Sequence, residues 1–579
     1  MDDLVIRSGT VVDGTGAPAQ VADVAVRDGI ITAVGDDVPP GRREIDAEGL
    51  VVTPGFVDIH THYDGQVTWD PLVAPSSVNG VTSMAMGNCG VGFAPVRPDR
   101  HDWLIGLLEG VEDIPGTALA EGLAWDWETF PDYLDAVDRR PHVVDVGVHV
   151  PHAALRAYVM GERGADHAEE PSDDEVAEMA RLVAEGLDAG AIGFATSRTI
   201  LHRTRDGANI GTLRAPEQEL IGVARALRDR GRGVIQLISD AYLTADDQFA
   251  DAELALIRRL AVESGRPLSF TVQQVDQKPD RWRQLFAHID GMVDDGLTVR
   301  GQVAPRPIGV LLGLQCTLNP FSLTPSYRRL ARLPLAECVA ALRTPDVRDR
   351  IVSEHVDARR DGVVDQLTQR FAKMFVLGDP VDYEPAEADS VEARAARLGR
   401  PPAEVAYDLL LGKDGTELFY VPFNNYAGGN LDDVREMMVA PHALYGLSDG
   451  GAHCGAICDA SFPTTTLQLW GRDRTRGGRI PLELLVHGYT ARNARHVGWL
   501  DRGVLAPGYL ADVNVIDFER LAVRPPRIAH DLPAGGRRLL QDADGYRYTV
   551  KRGEVTFEDG EHTGPLPGRL VRGQTPSPA

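Results

Sequence analysis

Apolar residues recur along this chain with two different spacings, and the change of spacing divides it. Residues 4–53 alternate apolar and polar positions in short runs, "LVIRSGTVVDG", "VADVAVRDGIITAVG" and "AEGLVVTPG", broken by Asp-Gly and Gly-Thr-Gly turns. That pattern predicts small antiparallel sheets. The same texture returns in "GVLAPGYLADVNVIDFERL" (503–521) and "YRYTVKRGEVTFEDG" (546–560). Two β-rich ends around a long middle predict one small β-sandwich built from both termini. The Pro- and Gly-rich last residues, 566–579, read as a flexible tail.

The middle alternates apolar strands with helical stretches, the pattern of a parallel α/β barrel. Candidate strands are "FVDIHTH" (56–62), "VTSMAMGNCG" (81–90), "VVDVGVHV" (143–150), "AIGFATS" (191–197), "GVIQLIS" (233–239), "LSFTVQQ" (268–274), "LTVRGQVAP" (297–305) and "ALYGLSD" (443–449). Helical patterns such as "DDEVAEMARLVAEGLDAG" (173–190) and "PEQELIGVARALRDRG" (216–231) fit between them. Eight strands are what a closed (β/α)8 barrel needs. Residues 311–440 are too long for one crossover and predict a helical insertion between strands 7 and 8, above the C-terminal face of the barrel. The expected organisation is therefore 1–54 and 501–565 for the sandwich, with 55–500 for the barrel and its insertion.

Length and composition narrow the class. A chain of 579 residues is long for one core, which agrees with a large domain and a smaller one. The net charge of −26 argues against nucleic acid or an anionic membrane as partner. The N-terminus lacks a basic segment followed by a long apolar run, and no apolar stretch approaches a membrane span. Five cysteines in so long a chain make no disulfide framework, so a reduced, cytoplasmic enzyme is the expectation, with a homo-oligomer left open.

Polar residues at strand C-terminal ends converge on one barrel mouth. His60 and His62 end strand 1, Cys89 follows strand 2 in "GNCG", and Asp449 ends strand 8 in "LSDGGAH". Strands 8, 1 and 2 are neighbours in a closed barrel. Two imidazoles, a thiolate and a carboxylate suit Zn²⁺, though other divalent metals also fit. Each residue alone has a bland structural reading; their conjunction on adjacent strand ends favours a metal centre.

"GFVDIHTHYD" (55–64) together with "PGYLAD" (507–512) resembles the amidohydrolase superfamily, metal-dependent hydrolases on a (β/α)8 barrel with an attached β-sandwich. "HTHYDGQVTWDP", "GNCGVGFAPVRP", "VEDIPG", "WDWETFPDYLDAVDRR", "LRAYVMG" and "GLSDGGAH" resemble its N-acyl-D-amino-acid deacylases, the D-aminoacylases. The resemblance implies metal ligation by His60, His62 and Cys89, and a general-base role for Asp449. It also implies a histidine on each of strands 5 and 6, where this chain has Gln236 and Gln273 or Gln274. An amide is a poor zinc ligand beside imidazole, so one ion is expected rather than two, on His60 and His62 with Asp449 and Cys89. Binuclear relatives such as dihydroorotases and hydantoinases use a strand-4 lysine. The four lysines here, Lys278, Lys373, Lys413 and Lys551, all lie elsewhere.

Further candidates surround the mouth. Arg198 and His202, after strand 4, could recognise a substrate carboxylate, and Tyr426 could polarise a substrate carbonyl. His149 and His152 flank the end of strand 3 as supporting residues or helix-start packing. His453 follows Asp449 by four residues and could orient it. The Cys-x-x-x-Cys of "HCGAIC" (453–458) has neither zinc nor redox spacing and reads as a loop. The leading expectation is hydrolysis of a small-molecule amide, an N-acyl amino acid, for which the resemblance implies the D configuration. The alternatives are a cyclic or secondary-metabolite amide, or a barrel that has lost catalysis and binds a ligand.

Overall fold

A computed structural model describes residues 1–357 and 366–578. All eight candidate strands form and join in one parallel sheet, in chain order: Phe56–Asp58, Val81–Met86, Asp145–Pro151, Gly193–Arg198, Val234–Ser239, Leu268–Thr271, Val299–Val303 and Ala443–Tyr445, here barrel strands 1 to 8. The ring closes where Thr61 bridges Gly450 in parallel and His62 N donates to Gly450 O at 2.7 Å. The (β/α)8 barrel is thus the observed fold. Every residue of strands 2 to 6 is buried, because helices cover the outer face while side chains fill the inside.

Local sequence explains the helices between them. Asp173–Ala189 starts with a capping box, Ser172 accepting from Glu175 N while the Glu175 carboxylate accepts from Ser172 N, and it ends at Gly190 with φ 116°. Glu217–Arg230 places Leu220, Val223, Ala224 and Leu227 on its buried face and stops at the left-handed Gly231.

Both termini share one nine-stranded sheet. Its path runs from Glu561–His562 through Glu554–Glu558, Tyr546–Lys551 and Val513–Ile516 to Val51–Pro54, Leu4–Val11, Gln20–Arg27 and Ile30–Gly35, with Arg43–Asp46 beside Leu4–Val11. Leu4, Ile6, Val24, Val52, Val513 and Val550 pack into its core. One part of 501–565 departs from expectation. The hairpin Arg527–Leu532 and Gly536–Leu540 leaves this sheet and leans on the barrel mouth, where Leu539 N donates to Cys454 O at 2.7 Å.

The insertion is not purely helical. Strands Ile308–Leu312, Phe375–Val376 and Phe419–Asn424 form an antiparallel sheet, and helices including Leu335–Leu342 and Pro402–Leu410 pack with it into a separate core around Leu312, Phe321, Ile351, Met374 and Phe419. It also ends sooner than expected. Helix Asp432–Val439 buries Val434, Met437 and Met438 in the main barrel core, so it is the barrel's own helix before strand 8.

The described part of the C-terminal segment is fastened rather than loose. Val146 N donates to Arg569 O, Val571 N to Val146 O, Gly573 N to Gly190 O and Thr575 N to Gly498 O, at 2.7–3.0 Å. Leu570 and Val571 are buried there. Prolines and glycines kept the segment out of regular structure, yet its backbone groups found partners on the barrel. Among the described residues no helix is long and apolar enough to cross a membrane.

Candidate metal centre

Barrel strand 1 ends in "DIHTH", and three contacts fix that turn. Asp58 Oδ1 accepts from His60 N at 3.1 Å, Ser448 Oγ donates to Asp58 Oδ2 at 2.5 Å, and Asn88 Nδ2 donates to Thr61 O at 3.2 Å. These bonds carry His60 and His62 to the mouth beside Cys89. Among the described residues, the donor atoms of His60, His62 and Cys89 form one buried set in which all lie within 4.8 Å of one another. Cys89 Sγ stands 3.3 Å from His60 Nε2.

Asp449 Oδ1 lies 3.3 Å from His60 Nε2 and 3.6 Å from His62 Nε2. It approaches both rings from outside the close set, and its side chain is 20% exposed where the histidines are almost fully covered. Asp449 therefore faces both the donors and the mouth. The backbone is bent to achieve this: Cys89 has φ 55° and Asp449 φ 46°, left-handed values that cost a non-glycine residue about 1–2 kcal/mol.

The imidazoles are oriented from behind. His60 Nδ1 donates to Gln302 Oε1 at 2.6 Å, and Gln302 Nε2 donates to Ser269 Oγ at 3.0 Å, which fixes the amide and leaves His60 Nε2 toward the donor set. His62 Nδ1 faces Glu112 Oε1 at 3.5 Å. Burial works against charge on His60, His62, Cys89 and Asp449, but their mutual attraction, with Glu112 acting on His62 and His453 on Asp449, outweighs it. Both imidazole pKa values rise, while the Cys89 thiol and the Asp449 carboxyl fall below their usual ranges. Two imidazoles and a thiol in one buried set, with a carboxylate at its side, are donors that suit a divalent cation.

His202 is half-buried with Nδ1 2.7 Å from Ser197 Oγ; burial, then His453 and His62, pushes its pKa down to about 3, which keeps it a neutral ring at the mouth. Arg198 turns away from the mouth: its guanidinium holds Glu253 at 2.7 Å and donates to Ala215 O. The Tyr426 hydroxyl donates to Pro385 O and accepts from Arg476, so it serves packing of the insertion. His152 is enclosed between Thr196 and Glu219 at the start of helix His152–Met160. His149 is buried on strand 3, where burial lowers its pKa to about 3. Gln236 Oε1 accepts from Cys89 N at 2.7 Å, Gln273 accepts from Asn424, and Gln274 is bonded to Asp433 and Asn425. His453 has φ 50° and donates its N–H to Glu112 O.

Three residues of the site carried no separate signal in the sequence. Gln302 is a polar residue alternating inward in an apolar strand. Glu112 lies within "VEDIPG", a stretch noticed only for its resemblance. Tyr242 follows strand 5 and is buried, and burial, then Asp240 and Cys89, raises its phenol pKa.

Residues 43–557 match the model of the amidohydrolase family. Among relatives from Alcaligenes xylosoxydans xylosoxydans, a D-aminoacylase is 32% identical over 252 residues, 42% of this chain and 47% of that one. An N-acyl-D-aspartate deacylase is 35% identical over 233 residues, 40% of this chain and 42% of that one. The matched stretch therefore spans less than half the length of these relatives. An uncharacterised protein of Mycobacterium tuberculosis is 26% identical over 590 residues, covering 96% of this chain and 90% of that one. A D-aminoacylase crystal structure superposes with a TM-score of 0.65 at 25% identity, covering 99% of this chain and 100% of that one.

Proposed function

Because the chain belongs to the amidohydrolase family, we propose that it is a metal-dependent hydrolase of a linear amide, with an N-acyl amino acid of D configuration as substrate. The observation that carries the reading is the buried set of His60, His62 and Cys89 with Asp449 at its open side. Its deacylase relatives support the substrate class. Among these donors a divalent ion, zinc by ligand type, would supply Lewis acidity that acidifies water and polarises the amide carbonyl. Asp449, held as a carboxylate, takes the proton of the attacking water and delivers it to the leaving amine nitrogen. One ion is the expected complement, since Gln236 and Gln273 offer amide oxygens that already accept hydrogen bonds.

Substrate recognition falls to His202 in this reading, with Arg198 engaged by Glu253. That engagement also favours a second reading, a neutral or cyclic amide, because strand 4 offers no free guanidinium for a substrate carboxylate. Metal analysis of the parent should give about one zinc per chain, and His60→Ala and Cys89→Ala should retain a small fraction of it. Two ions would overturn the single-ion complement. A panel of N-acyl-D- and N-acyl-L-amino acids beside cyclic imides decides the substrate: turnover of the D series supports the proposal, and no turnover of any N-acyl amino acid overturns it.

A further inference from the structure

Glu112 stands where an acidic residue is least favoured. It is the last residue of helix His101–Glu112, at the end where carbonyl dipoles already concentrate negative charge. It is 4% exposed, and its Oε2 is buried with no hydrogen-bond partner among the described residues. Each feature costs stability. The fold does not need the carboxylate to hold the helix end. Glu112 O accepts from His453 N at 2.5 Å, and the neighbouring Asp113 carboxylate accepts from Gly455 N at 3.2 Å and Thr317 Oγ1 at 3.1 Å. Those contacts fasten the helix end to the loop after barrel strand 8 and to the insertion.

The ion-pair contact of Glu112 is His62 Nδ1, at 3.5 Å from Oε1, and that nitrogen has no hydrogen-bond partner among the described residues. A neutral imidazole carries a single N–H, and the acceptor behind the ring decides which nitrogen holds it. We propose that Glu112 is the positioning residue of His62, accepting its Nδ1 proton so that Nε2 presents a lone pair to the ion held with His60 and Cys89. The two histidines are then supported unequally, His60 by the neutral amide of Gln302 and His62 by a carboxylate, which makes His62 the more basic donor. The inference rests on the reading of His62 as an ion ligand.

The test is zinc affinity of the full, metal-depleted chain, measured by competition with a chromophoric chelator. Glu112→Ala should bind zinc about 10–100-fold more weakly than the parent. Glu112→Gln, which keeps an oxygen acceptor, should recover most of that loss. In a His62→Ala background, Glu112→Ala should add nothing. Unchanged affinity in Glu112→Ala and Glu112→Gln would overturn the proposal, as would an equal loss when His62 is already absent. Should Glu112→Ala not fold, the proposal falls if Glu112→Gln binds zinc no better than His62→Ala. A parent that binds no zinc would instead overturn the metal-centre reading itself.

Discussion

Arg198 shows how a residue type can point to one chemistry and a position to another. From the sequence it is a guanidinium at a strand end, suited to a carboxylate; in the fold the carboxylate is the chain's own Glu253, which also accepts from Ser239 Oγ at 2.7 Å. Both partners are almost fully buried. Removing one leaves a buried charge without its counterion, so Arg198→Met should lower unfolding free energy by about 3–5 kcal/mol. Chemical denaturation measures that loss. A selective rise in KM with stability intact would instead return Arg198 to substrate recognition. The same limit governed the rest of the site. His60, His62, Cys89 and Asp449 were legible because their chemistry and their strand-end places coincide in the sequence. Glu112 and Gln302 were not, because each matters only through the ring it meets, 50 and 242 positions away along the chain.

Elements were legible where one local signal sufficed. The barrel strands are apolar runs bounded by turn residues, and helix Asp173–Ala189 carries its caps in the sequence. The insertion's small sheet was not, since Ile308–Leu312 pairs with Phe419–Asn424 across about a hundred residues and neither run announces its partner. The C-terminal segment is the clearest failure of local reading: its composition says loop, and a loop can still be bound along its length. Backbone hydrogen bonds to His142, Val146, Gly190 and Gly498 hold it, each worth about 1 kcal/mol, with Leu570 and Val571 buried beside them. Truncation before residue 566 should therefore lower the melting temperature by several degrees, roughly in line with a loss of a few kcal/mol. A truncated chain melting with the parent would show that the segment lies on the barrel without supporting it.

Four parts of the molecule meet at one carboxylate. Asp145, at the start of barrel strand 3, is fully buried and meets Arg502 at 2.7 Å, Lys551 at 2.9 Å and Arg552 at 2.8 Å, while its other oxygen accepts from Arg569 N. Lys551 belongs to the terminal sheet and also binds Asp512, so barrel, sheet, connector and C-terminal segment converge there. Burial alone would raise the Asp145 pKa, but Lys551, Arg502 and Arg552 more than reverse it and hold the carboxyl well below its ordinary range. In the unfolded chain this group takes up a proton near pH 3.9, whereas in the folded chain it does so only at lower pH. Its stabilisation is complete above about pH 4 and is lost as pH falls from there toward the folded value, by up to ~1.4 kcal/mol per pH unit. In Asp145→Asn the cations lose their counterion, so stability at neutral pH should fall while its decline below pH 4 becomes shallower. Denaturant unfolding of both chains between pH 3 and 7 measures the difference. Parallel curves would mean that the acid sensitivity of the assembly arises at other carboxylates.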